Sequence, residues 1–143
     1  MSLGATAMSK SRIVIIGAGF SGIGLGVYLK KAGIQDFVIL EKAKEVGGTW
    51  RENTYPGAEC DVPSALYSYS FEHNAQWQYK WSEQAQILDY LRHVADKHGL
   101  VQHMRFGQPV VGAKWDASHN QWQVQLADGT PIECQFLVSA VGQ

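Results

Sequence analysis

The sequence predicts an α/β fold in which a parallel sheet is joined to an antiparallel β-meander. Three observations predict it. A β-branched run from Ile13 to Ile16 leads into a glycine-rich turn and a helical stretch. A second apolar run, "FVIL", follows after one helix length. Beyond a central amphipathic helix come three strand-like segments, divided by the turn sequences "ASHN" and "DGT". Unbroken apolar runs suit strands buried on both faces of a parallel sheet, whereas alternation suits a strand with one wet face.

The chain has 143 residues, enough for one domain with a real core. Hydrophobic content of 45% and charged content of 17% describe a globular protein rather than a disordered one. With a net charge of −1 and no basic run, nucleic acid and anionic membrane surfaces are poor partners. No apolar stretch approaches the roughly 20 residues of a membrane span. Residues 1–10, "MSLGATAMSK", lack the apolar core of a signal peptide and read as a leader or tag before a domain at 11–143. A cytoplasmic location is the resulting default. The cysteines Cys60 and Cys134 make no disulfide framework, and the histidines show no metal-ligand spacing, so no metal is expected.

Taken in order, "RIVIIGAGFSGIGLGVYLKKAG" opens with a buried strand. Gly17, Gly19 and Gly22 then give G-x-G-x-x-G. The following helix carries Ile23, Leu25, Val27 and Leu29, with Gly33 placed to end it. Gly24 and Gly26 each cost this helix about 1 kcal/mol relative to alanine, which close packing on the sheet would justify. The second strand ends on Glu41.

Strand, glycine turn, helix, second strand and acid together form the Rossmann-type dinucleotide fingerprint. Gly17 permits the tight turn, and Gly19 lets backbone approach a pyrophosphate at the helix N-terminus. Gly22 lets the helix pack on the strand. Glu41 can accept hydrogen bonds from a ribose 2′-hydroxyl and would repel a 2′-phosphate, which disfavours NADP at this site.

Farther on, "SEQAQILDYLRHVADKHGL" reads as a scaffold helix with Ser82 as N-cap, Ile87, Tyr90, Leu91 and Val94 on its apolar face, and Gly99 at its end. "PVVGAKWD", "QWQVQLAD" and "PIECQFLVSAVG" are the three strand candidates. "FLVSAVG", apolar throughout, suggests a return to the parallel sheet.

Between Glu41 and the scaffold helix lies "GGTWRENTYPGAECDVPSALYSYSF". An acid followed six residues later by Gly47-Gly48 resembles the two-dinucleotide-domain flavoproteins, whose first fingerprint holds the ADP half of FAD. G-G-x-W, then N-x-Y-P-G, then an aspartate and Y-x-Y-S-F closely resemble the Baeyer–Villiger-type flavin-containing monooxygenases over residues 11 to 143. The resemblance implies that FAD is contacted by Gly17, Gly19, Phe20, Ser21, Gly22, Glu41, Lys42, Gly48, Thr49, Trp50, Asp61, Tyr67 and Val111. It places Glu59, Cys60 and Asp61 on the nicotinamide side. It implies an enzyme in which NADPH reduces FAD, dioxygen adds at the flavin C4a, and the peroxide converts a carbonyl substrate to an ester or lactone. Asp61 would be the catalytic residue, supporting an arginine from a second nucleotide domain.

Residue chemistry alone also allows blander roles. Trp50 and Tyr67 could be core aromatics, Asp61 a turn residue, and Cys60 a small buried filler. The family's second G-x-G-x-x-G, its F-x-G-x-x-x-H-x-x-x-W signature and its arginine are not in this sequence. The expectation is therefore an N-terminal FAD-binding segment, truncated relative to the full flavoprotein fold and catalytically silent alone. A nucleotide-binding module without chemistry, or a subunit completed by a partner chain, would fit the same residues.

Overall fold

The computed structural model describes residues 9–143. Its backbone is one six-stranded sheet with the order β3-β2-β1-β6-β5-β4. The strands are β1 (Ser9–Ile16), β2 (Phe37–Leu40), β3 (Met104–Arg105), β4 (Val110–Asp116), β5 (Gln121–Leu126) and β6 (Pro131–Ser139). The helices are α1 (Phe20–Lys31), the single-turn α2 (Thr49–Glu52) and α3 (Gln84–Lys97). β1 pairs in parallel with β2 and with β6, and β2 in parallel with β3. β4, β5 and β6 form the antiparallel meander, so β6 joins the two halves of the sheet. The α/β class with a parallel sheet and a meander is thus observed.

Alternation along β1 and β2 divides the core between the two faces of the sheet. Ile13, Ile15 and Ile39 pack with Ile23 and Val27 of α1 and Leu91 and Val94 of α3. Val14, Val38 and Leu40 pack with Val124, Leu126 and Ile132 from the meander. Each fully buried Ile or Leu contributes about 1.5–3 kcal/mol relative to exposure. α1 contributes little amphipathic patterning of its own. It lies close to its neighbours because Gly26 has no side chain to meet Leu100 and Ile39, and Gly24 none to meet Tyr69. Sheet packing therefore explains only Gly26; Gly24 makes room for an aromatic ring.

The structure departs from the sequence reading at several points. Ser9 and Lys10 belong to β1, paired beside Ile132 and Glu133, although they fell inside the expected leader. The rest of that stretch, residues 1–8, lies outside the described residues. Ser82 does not cap α3: the N-cap is Glu83, without a side-chain cap bond. The chain at this point is still extended, with Glu83 bridged to Glu59. The Ser82 hydroxyl is buried against Ser64 at 2.5 Å instead. β3 and α2 are too short to leave a periodic signal. β6 does return to β1, but Phe136 is 50% exposed, under the guanidinium of Arg12.

Candidate functional site

The carboxyl ends of β1 and β2 open on a cavity of about 400 Å³. The glycine turn forms its floor. Gly17 leaves β1 with φ +106°, and its N–H donates to the Leu40 carbonyl at 2.8 Å. A Cβ on Gly22 would lie 1.9 Å from the Gly17 oxygen, so only glycine lets α1 start so close to the turn. Gly19 is the N-cap of α1, which has neither a side-chain cap nor an acidic residue in its first turn. A Cβ on Gly19 would meet only Gly48, with Cα at 3.6 Å.

Glu41, just past the end of β2, lines the cavity and is only 4% exposed. Its Oε2 accepts the Ala18 N–H at 2.8 Å, and Oε1 accepts the Ala43 N–H at 2.9 Å. The Arg51 guanidinium lies 3.4 Å from Oε1. The acid therefore organises the protein around it as well as facing the cavity.

The Gly47-Gly48 turn docks on the first glycine turn through Gly47 N–H to the Ala18 carbonyl, 2.9 Å. Its glycines have φ +127° and +52°, conformations that side-chain-bearing residues rarely adopt. α2 then carries Trp50, whose Nε1–H donates to the Tyr67 phenol oxygen at 3.0 Å. The two rings meet edge to face with centroids 5.7 Å apart, and Phe20 packs on Tyr67 at 4.8 Å. Behind this wall the buried Tyr69 hydroxyl donates to the Phe20 carbonyl. Burial raises the Tyr69 phenol far above its ordinary pKa, so it is a neutral donor.

The cavity thus gathers Gly17, Gly19, Phe20, Ser21, Glu41, Lys42, Gly48, Thr49, Trp50 and Tyr67. Gly22 lies beneath the turn rather than in the lining. Val111 is 65% exposed, and its neighbour Val110 lines the cavity instead. A register shift between Val110 and Gly112 lies at that point of β4, and no sequence motif marks it. Glu59, Cys60 and Asp61 are also outside the lining. Glu59 and Asp61 are exposed. Cys60 is 4% exposed, with Sγ accepting the Val62 N–H at 3.4 Å, as a buried filler would be. Lining residues that the sequence reading missed include Arg51, Glu52, Gln108 and Pro109, and the segment from Ala140 to Gln143. The Ala140 carbonyl would lie 2.5 Å from a Cβ on Gly17, so the two segments fit only with glycine there. Among the described residues, no cluster of His, Cys, Asp or Glu could hold a metal, and no helix is long and apolar enough to cross a membrane.

Comparison with known proteins agrees with this geometry. The chain is 48% identical over 131 residues to a Baeyer–Villiger monooxygenase of Streptomyces coelicolor, covering 92% of this chain and 25% of that protein. An FAD-binding monooxygenase of Aspergillus niger is 42% identical over 146 residues, covering 94% and 24% respectively. Among solved structures, a steroid monooxygenase bound to NADP superposes with a TM-score of 0.88 at 37% identity, covering 94% of this chain and 26% of that one. A Rhodococcus cyclohexanone monooxygenase bound to NADP+ gives a TM-score of 0.88 at 36% identity, covering 95% and 26%. The chain spans about a quarter of the length of these relatives. The family model described as NAD(P)-binding Rossmann-like domain matches residues 15–94, from inside β1 to the last turn of α3. With the glycine turn, the uncapped helix start and the acidic strand end meeting at one cavity, this chain belongs to the NAD(P)-binding Rossmann-like domain family.

Proposed function

We propose that this chain is the FAD-binding portion of an NADPH- and dioxygen-dependent flavoprotein monooxygenase that converts ketones to esters or lactones. One observation carries the reading: the uncapped start of α1, the Gly19–Gly48 approach, Glu41 and the Trp50–Tyr67 pair open on a single cavity. The residues fit the ADP half of the cofactor. A diphosphate is bound by helix N-terminal N–H groups that no side chain has already satisfied, and α1 offers these. Gly19 leaves the approach clear, and Glu41 is placed for ribose hydroxyls. FAD, when bound, supplies the redox chemistry with NADPH and dioxygen.

In this reading Gly17, Gly19, Phe20 and Ser21 form the diphosphate cradle, with Gly22 packed beneath it, and Glu41 and Lys42 lie at the ribose. Gly48, Thr49, Trp50 and Tyr67 run toward the ring system, with the β4 contact coming from Val110 rather than Val111. Glu59 and Asp61, exposed on either side of the buried Cys60, face the nicotinamide side, where Asp61 supports an arginine outside this sequence. A small carbonyl compound and dioxygen are the substrates of the complete enzyme, and we place it in the cytoplasm. The names of the relatives, Baeyer–Villiger, steroid and cyclohexanone monooxygenases, support the substrate class.

The test is retention of flavin. The chain is incubated with FAD, passed through a desalting column and examined for visible flavin absorption. The expected result is flavin co-eluting with the wild-type chain but not with Gly19→Val. A chain that binds ADP yet never retains FAD would reduce the reading to a nucleotide-binding module.

A further inference from the structure

Arg51 carries no motif role, yet its side chain is only 13% exposed and lines the cavity. Nη1 lies 3.4 Å from Glu41 Oε1 and donates to the Glu45 carbonyl at 2.8 Å. Nη2 donates to Glu52 Oε1 at 2.9 Å, and Glu52 pairs with Lys42 at 3.3 Å. The four charges, Lys42, Glu52, Arg51 and Glu41, alternate in sign along the cavity wall.

We propose that Arg51 is a positioning residue for Glu41, and that through it the chain sets its selectivity for the ribose of a bound adenine nucleotide. The proposal rests on Glu41 taking the ribose, as proposed above. A carboxylate has about four lone-pair sites. On Glu41 one is used by the Ala18 N–H and another by the Ala43 N–H. Among the described residues, Arg51 is the ion-pair partner of this nearly buried anion. Without it the carboxylate is an uncompensated charge, which is relieved by turning toward water and away from its two backbone donors. Its remaining acceptor capacity then no longer faces the cavity in one fixed direction. The guanidinium itself is tied to the Glu45 carbonyl and to Glu52, so it is not free to turn to a 2′-phosphate.

The experiment measures ADP, 2′-deoxy-ADP and NADP binding by calorimetry to wild type, Arg51→Met and Arg51→Lys, with thermal melts to establish folding. Wild type should prefer ADP over 2′-deoxy-ADP by about tenfold or more, the scale of a hydrogen bond to a charged group. In Arg51→Met the preference should fall to about twofold through loss of ADP affinity, and Arg51→Lys should fall between, since it keeps the charge but not the fork. If Arg51→Met does not fold, Arg51→Lys carries the test. Equal weakening of both ligands, with the preference intact, would overturn the proposal in favour of a purely structural arginine. Selective loss of NADP binding would also overturn it, making Arg51 a phosphate ligand. Absence of any preference in wild type would remove the Glu41 reading together with this one, and it is seen before any variant is made.

Discussion

Glu41 accepts the backbone N–H of Ala18 at 2.8 Å, tying the acidic end of β2 to the glycine turn between β1 and α1. The acid proposed to take a ribose thus also holds the glycine turn in place. Glu41→Ala should therefore damage the fold as well as binding. It leaves a buried N–H without an acceptor and the Arg51 guanidinium without its carboxylate, costing about 3 kcal/mol. Urea unfolding measures this, and a loss under about 0.5 kcal/mol, the range of an ordinary surface substitution, would contradict it.

The glycines of the turn separate structure from ligand space. Gly22→Ala should unfold the chain or destabilise it severely, because the new Cβ would lie 1.9 Å from the Gly17 oxygen. Gly19→Val should leave the fold largely intact, since a Cβ there has only ordinary contact with Gly48, while blocking the diphosphate's approach. Circular dichroism and ADP titration of both variants distinguish the two effects. Normal ADP binding by Gly19→Val would count against the cradle.

How much of this was legible in the sequence depends on the range of the signal. Gly17, Gly19, Gly22 and Glu41 are spaced by local geometry, so the first βαβ unit could be read directly. Trp50 and Tyr67 were visible only through a family motif; their hydrogen bond joins residues 17 apart through the fold. Ser82 satisfied the cap preference but was recruited by Ser64, a tertiary partner that local propensity does not register. Val110 exchanged places with Val111 beside a register shift, and the two valines are chemically identical. Arg51 gave no signal because its role depends on Glu41, Glu45 and Glu52 converging in space.

Away from the cavity, stability should depend on pH through Glu72. Lys97 Nζ donates to it at 2.7 Å and His98 Nε2 lies at 2.8 Å. The Lys97 hydrogen bond, and then that of His98, hold its carboxyl below the ordinary carboxylate range. A folded-state pKa below the unfolded one stabilises the protein at pH above the unfolded value, and that stabilisation is lost as pH falls through the folded value. Glu72→Gln should cost about 0.5–1 kcal/mol at neutral pH, discounted for the half-exposed lysine, and nothing in acid. Thermal melts across that range check it; a gap that does not change with pH would refute the assignment.

The chain alone should not turn over. It has one dinucleotide fingerprint, and the proposed chemistry requires FAD and NADPH together in a site shielded from water. Supplied with FAD, NADPH and a cyclic ketone, it should form no lactone detectable by mass spectrometry. Lactone formation coupled to NADPH consumption would mean that a second copy of the chain completes the site.

The central claim is that the cavity is an adenine-dinucleotide site for an unphosphorylated ribose. Calorimetric titration of the wild-type chain with FAD, ADP and NADP tests it most directly. FAD and ADP should bind at one site, and NADP should bind at least about tenfold more weakly, because its 2′-phosphate meets Glu41. NADP binding as tight as ADP, or no binding of either FAD or ADP, would contradict the account.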